Sequence, residues 1–374
     1  MEQIDIEKWK KNWLDKKIAL WGYGKTCRTI LKNFKTSTEV ECIIDNDKEK
    51  NGTVVNETPV IHPDYINLHE KKIVVTTYYN EISKQLKNAG LVENVDFCDI
   101  RNFLSLKDWY KNKKVCLYEL HMAITTACTL NCKYCNMYMP FHKKHAIIYT
   151  FEEIKEQIDC LFTYVDRIVR LVLLGGEPLI NKDIDKIINY LYEKYHNRFD
   201  ILTITTNGTI IPNEDTIDAI KKSNTVISIS DYNLNDSYSE KLINLKNILD
   251  QNRIESTINK SLEWKDFSFP YNPLNLSEKQ SYINMNKCNP IFRGFNDNKF
   301  YFCHIVWSAD KAGLFKEQPT DFINFLEPSE CIKEKIVMMD NCCYEDYKFN
   351  ALCQKCGGCS ELNQKFISVG EQLT

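Results

Sequence analysis

The 374 residues carry 48 Lys and Arg against 51 Asp and Glu, a net charge of −3 that leaves no electrostatic footprint for nucleic acid. No run of about 18 apolar residues occurs, so no membrane span is expected, and the charged opening Met1-Glu2-Gln3-Ile4-Asp5 lacks the apolar core of a signal peptide. A cytoplasmic protein of two or three domains follows, and its 16 cysteines point to metal ligation rather than to a disulfide framework.

After a short charged helix, Lys17–Trp21 reads as a buried strand running into Gly22-Tyr23-Gly24-Lys25-Thr26-Cys27 and a helical Arg28–Lys35. A second strand, Val40–Ile44, ends at Asp45-Asn46-Asp47, and a third, Lys72–Thr77, precedes a helical Asn80–Ala89. Strand, glycine turn, helix, strand and acid is a Rossmann-like order, although Cys27 stands where a third glycine belongs. With the later Gly52-Thr53-Val54-Val55, residues 1–105 resemble the N-terminal domain of bacterial sugar acyltransferases that bind UDP-sugars. The resemblance implies that Gly22, Gly24 and Asp45 face a nucleotide-sugar; a domain kept for docking or dimerisation is the alternative. Residues from Ile100 to Lys114 read as a linker.

The second domain, 115–270, opens with the strand Val115–Thr126. Its alternation puts Leu120, Met122 and Ile124 on one face and Glu119, His121 and Thr125 on the other. Glu119 and His121 are candidate catalytic residues if that face lines a ligand cavity; a hydrogen-bonded core histidine is the alternative. Cys128-Thr129-Leu130-Asn131-Cys132-Lys133-Tyr134-Cys135 follows, a C-x3-C-x2-C run with an aromatic before the last cysteine. Three thiolates on one short loop suit a metal centre, with a zinc knuckle or a group of buried thiols as the alternatives. The apolar strand Leu171–Leu174 then ends in Gly175-Gly176-Glu177-Pro178. Ile201–Thr206 leads into Asn207-Gly208-Thr209, and Val226–Asp231 puts Ser228 and Ser230 on one face.

Motif, order and spacing here resemble the radical S-adenosylmethionine (SAM) enzymes. That resemblance implies a partial (β/α)6 barrel within an α/β fold, its sixth strand near Leu262–Asp266. It further implies a [4Fe-4S] cluster on Cys128, Cys132 and Cys135, with SAM on the open iron. Tyr134, Gly175, Gly176, Glu177, Pro178, Ser228 and Ser230 would meet SAM, the Glu177 carboxylate by pairing with its ammonium. An external one-electron reductant such as flavodoxin or ferredoxin is implied as well.

Cys27, Cys42, Cys98, Cys116 and Cys160 stand alone and read as buried thiols, whereas eight cysteines crowd Cys288 to Cys359. Ile291–Phe295 and Lys299–Phe302 read as a hairpin between Cys288 and Cys303, and Cys353-x2-Cys356-Gly357-Gly358-Cys359 comes later. Residues 280–374 thus resemble the Twitch and SPASM extensions of radical SAM enzymes, with Asn298 at the usual glycine. This implies one auxiliary [4Fe-4S] cluster on Cys288, Cys303, Cys353 and Cys356. Cys359 is an alternative ligand, Cys331, Cys342 and Cys343 are further thiols, and a structural zinc ribbon is the competing assignment. The expected function is hydrogen-atom abstraction from a sugar or nucleotide-sugar in surface-glycan synthesis, by dehydrogenation or epimerisation. Modification of a ribosomally made peptide and a non-catalytic iron–sulfur scaffold are the alternatives.

Overall fold

A computed structural model describes residues 4–32, 34, 39–77, 79–288, 292–342 and 349–373. Cys343, Asn289, Ile291, Lys35 and the opening Met1–Gln3 lie outside the described residues. The chain divides into two compact units, one of residues up to 118 with 340–342, the other of 119–339 with the described residues from 349.

In the first unit the strands are Ile18–Trp21 (β1), Val40–Ile44 (β2), Val54–Val55 (β3), Thr58–Ile61 (β4), Ile73–Val75 (β5) and Phe97–Asp99 (β6). They form one sheet in the order β3-β4-β2-β1-β5-β6, parallel except for the β3–β4 pair. β1 and β5 are buried at every residue, as strands covered on both faces must be. Trp21, Ile44, Val75, Leu86 and Phe97 pack into one core, and Cys27, Cys42, Cys98 and Cys116 are buried thiols.

The stretch expected as a linker is instead a helix, Ile100–Asn112, capped by Asp99 and burying Ile100, Phe103, Leu104, Leu106 and Trp109. Its apolar residues recur at helical spacing and its lysines lie between them, so the charges marked an exposed face rather than a boundary. A division at residue 105 therefore cuts a packed helix. Residues 119–270 and 280–339 fall in one unit, whereas 115–118 and 340–342 fall in the first.

The second unit contains Cys116–Thr125 (β7) from Glu119 on, Arg167–Gly175 (β8), Phe199–Thr206 (β9), Val226–Asp231 (β10), Ser256–Lys260 (β11), Glu263–Lys265 (β12), Gly294–Asn296 (β13), Lys299–Tyr301 (β14), Phe322–Asn324 (β15) and Phe366–Ser368 (β16). Eight of them form a sheet in the order β11-β10-β9-β8-β7-β13-β14-β15, with β8 to β11 paired in parallel. Helices follow β7 to β10 in alternation: Phe151–Tyr164, Ile184–Tyr195, Glu214–Ser223 and Asp236–Gln251. The first starts at a capping box made by Thr150 and Glu153.

Residues 262–266 add no strand to that sheet. β12 pairs antiparallel with β16 in a separate two-stranded ribbon. Glu263-Trp264-Lys265 has one apolar residue to bury, and Trp264 meets Tyr232 edge-on at 5.3 Å. On the far side of β7, the Asn296 amide continues the ladder by accepting from Ala123 N at 2.9 Å and donating to Ala123 O at 2.8 Å. Asp297 and Asn298, at φ 52° and 57°, make the two-residue turn between β13 and β14. Among the described residues no helix is long and apolar enough to cross a membrane.

Candidate active site

The three loop cysteines follow β7, and each sulfur meets donors from its surroundings. Asn207 Nδ2 lies 3.6 Å from Cys128 Sγ, and the Leu130 amide also faces that sulfur. Gln372 Nε2 donates to Cys132 Sγ at 3.0 Å. The amides of Met137, Tyr138 and Met139 converge on Cys135. Burial pushes the Cys128 thiol up to about 12 and the Cys132 thiol up to about 11, and raises Cys135 as well. With no cation beside them the thiols stay protonated; N–H donors to sulfur suit thiolates once a cluster supplies the positive charge. The donor set therefore fits a [4Fe-4S] cluster. Among the described residues no three His, Cys, Asp or Glu side chains converge as a single metal ion requires.

The turn after β8 packs directly under this loop. A Cβ at Gly176 would lie 2.2 Å from Ala127 O and 2.8 Å from Cys128 Cβ, and one at Gly175 would lie 2.1 Å from Thr125 O. These glycines are thus required by the chain's own close approach as well as by any ligand. Glu177 is fully buried, and its carboxylate accepts from Thr206 Oγ1 at 2.8 Å, Asn207 N at 2.8 Å and Leu179 N at 3.1 Å. Burial pushes it up to about 7 against those donors. The carboxylate ties β8 to the end of β9, a role that the expected ammonium pairing did not include. Pro178 is also buried. Tyr134 stands edge-on to Tyr271 at 5.5 Å with the Lys133 amine 4.8 Å from its ring. Ser228 and Ser230 are both half-buried, alternating with buried Ile227 and Ile229, and Ser228 Oγ accepts from Asn259 Nδ2 at 3.0 Å.

Glu119 and His121 meet on β7, His121 Nε2 lying 2.7 Å from Glu119 Oε1. Arg170 of β8 donates to Glu119 Oε2 at 3.1 Å and to Thr203 Oγ1 of β9 at 3.3 Å. The three strands so present one linked polar row. Arg170 was not anticipated; its signal was a lone charge inside the apolar run Ile168–Leu174.

Just past the loop, His142 is 1% exposed. Ser308 Oγ donates to Met137 O, so His142 Nε2 donates to Ser308 Oγ at 3.0 Å, and His142 Nδ1 is left without a partner. Burial pushes this imidazole down to about 4. Unfolded, it takes up a proton near pH 6.5, so its contribution to stability is full above that pH and is lost as pH falls toward 4. The expected loss is on the order of 3 kcal/mol. Urea unfolding of wild type and His142→Gln between pH 7 and pH 4 checks it: the variant should have the shallower slope.

In the cysteine-rich part, Cys288, Cys303, Cys353, Cys356 and Cys359 line one cavity, walled by Phe267, Met285, Phe292 and Phe302. Cys288 Sγ and Cys359 Sγ lie 3.3 Å apart and share a proton, which lowers Cys288 and raises Cys359. Burial pushes Cys303 up to about 12 and raises Cys353 and Cys356 above the usual thiol range. Five soft donors in an apolar pocket fit a second cluster. Cys331 is exposed, and Cys342 belongs to the first unit, so neither joins this group.

In the first unit Gly22 is at φ 104°, where an added Cβ would lie 2.2 Å from Thr77 Cγ2, whereas Gly24 faces open space. Asp45 accepts from Tyr23 N at 2.7 Å, Asp47 N at 2.9 Å and Lys50 Nζ at 3.1 Å. Burial opposes its charge, but these donors hold the carboxyl below its ordinary range. Asp45 therefore latches the glycine turn, with three of about four acceptor positions already used.

Residues 122–258 match the radical SAM superfamily, and residues 14–95 match a family described as C2185-like, N-terminal. An uncharacterised protein of Methanocaldococcus jannaschii is 34% identical over 113 residues, 30% of this chain and 37% of that protein. GTP 3′,8-cyclase of Clostridium botulinum is 36% identical over 108 residues, 28% of this chain and 31% of the cyclase. The chain thus spans about a third of the length of these curated relatives. Among solved structures, BtrN in complex with AdoMet and 2-DOIA aligns at TM-score 0.41 and 13% identity over 69% of this chain and 99% of that one. A likeness that distant bears on neither substrate nor mechanism. The match to the radical SAM superfamily is confined to residues 122–258.

Proposed function

We propose that the protein is a radical SAM enzyme acting on a sugar or nucleotide-sugar, by dehydrogenation of a hydroxyl carbon or by epimerisation. The observation that carries the enzymatic reading is the cysteine loop with Gly175-Gly176 packed against it, each loop sulfur supplied with N–H donors. When bound, a [4Fe-4S] cluster and SAM supply a 5′-deoxyadenosyl radical that takes a hydrogen atom from the substrate.

Cys128, Cys132 and Cys135 hold that cluster in this reading. The turn 175–178 positions SAM through its backbone, with Glu177 bracing the turn, and Tyr134, Ser228 and Ser230 flank the ligand. Arg170 donates to Glu119 and Glu119 orients His121, so the pair is placed beside a hydroxyl proton. A second [4Fe-4S] cluster is held by Cys288, Cys303, Cys353 and Cys356, with Cys359 hydrogen-bonded to Cys288. Those cysteines would hold a group able to supply an electron acceptor for a dehydrogenation, and an external one-electron donor such as flavodoxin or ferredoxin would serve the loop cysteines' cluster. The sugar assignment rests on the Rossmann-like first unit with its Gly22–Gly24 turn and Asp45; the latched Asp45 weighs toward docking instead.

Anaerobic reconstitution with SAM, dithionite and a panel of UDP-sugars, followed by mass spectrometry, tests the assignment. A sugar product two mass units lighter, or deuterium gained from solvent at one carbon, is expected. Turnover of a peptide with none of any sugar would overturn the substrate class, as would the absence of UDP-sugar binding in calorimetry at millimolar ligand.

A further inference from the structure

Beyond β16 the chain returns to the cysteine loop and pairs with it. Lys133 N donates to Glu371 O at 2.7 Å, Leu373 N donates to Asn131 O at 2.8 Å, and Cys132 faces Gln372 in an antiparallel bridge. Asn131 Nδ2 donates to Leu373 O at 2.7 Å, and Lys133 Nζ reaches Glu371 Oε1 at 3.0 Å. Gly370, at φ 68°, lets the strand turn back; a Cβ there would lie 2.4 Å from Leu234 Cδ2.

The Gln372 side chain is fully used. Its oxygen accepts from Asn131 N at 2.7 Å, and its nitrogen donates to Gly370 O at 2.7 Å and to Cys132 Sγ at 3.0 Å. Asn131 N is a donor only and Gly370 O an acceptor only. The amide therefore has one orientation, with an N–H directed at the sulfur.

We propose that Gln372 is a positioning residue for the cluster: residues 371–373 clamp the loop, and the Gln372 amide sets the electron affinity of the iron bound by Cys132. This rests on the reading that the loop holds a [4Fe-4S] cluster. Reduction adds negative charge that spreads onto the sulfurs, so an N–H donor favours the reduced state and raises the potential. Removing the donor makes the cluster harder to reduce while leaving its three ligands in place.

The test is potentiometric titration of the reconstituted full chain, followed by electron paramagnetic resonance of the reduced-cluster signal that changes when SAM is added. That criterion separates the loop cluster from the other one. Gln372→Met, similar in length and without a donor, should shift the midpoint to a more negative potential, and Gln372→Glu further still. Should either variant fold but lose about four irons, the clamp is supported by that loss instead. Wild-type potential together with wild-type iron content in both variants overturns the inference. A wild type whose loop binds no iron would overturn the underlying reading instead, so the two failures are distinct.

Discussion

Changing Cys128, Cys132 or Cys135 to alanine is expected to reduce 5′-deoxyadenosine formation to background and to remove about four of about eight irons. The three sulfurs are supported independently, Cys128 from Asn207, Cys132 from Gln372 and Cys135 from three successive amides. No other cysteine lies between Ala127 and Tyr149 to take over a lost place. The remaining irons should stay, because the second thiol group is built from residues 288–359. Iron analysis, anaerobic chromatography of SAM products and circular dichroism of the single and triple variants check this. A triple alanine variant that still cleaved SAM would refute the assignment.

The second large effect is expected at Cys303. Cys303→Ala should lose about four irons, keep SAM cleavage without substrate, and lose product formation if the reaction is a dehydrogenation. Cys303 faces the same apolar pocket as Cys288, Cys353, Cys356 and Cys359, and burial, more than any other cause, pushes its thiol up to about 12. Desolvation outweighs the Arg293 charge that favours the thiolate, so this thiol is ionised only when a metal takes the proton's place. Elemental analysis of anaerobically purified wild type decides between cluster and zinc. One zinc per chain with about four irons would assign the pocket to a zinc ribbon.

The loop and turn were legible because each rests on covalent spacing: three cysteines within eight residues, and two glycines before a buried acid. Long amphipathic helices such as Phe151–Tyr164 were legible from capping and periodicity. Ile100–Asn112 was misread because Asp108, Lys111, Lys113 and Lys114 drew attention from the buried positions between and before them. Arg170, Asn207 and Gln372 were missed for another reason. Each acts on a residue far along the chain, and Gln372 reaches a cysteine 240 positions away. Nothing local to such a residue announces its partner. Asp45 was placed correctly at a strand end, but the sequence could not tell that Tyr23, Asp47 and Lys50 already satisfy it.

The clamp over the loop also has a place in time. Lys133 is synthesised 238 residues before Glu371, which covers it. At cellular elongation rates that interval is roughly 10–50 s. During it the nascent chain presents three uncovered thiols to whatever delivers iron and sulfide. Once residues 371–373 have paired with the loop, Cys132 lies against Gln372. Cofactor loading before that pairing meets an open loop, whereas repair of an oxidised cluster afterwards meets a strand paired over Cys132.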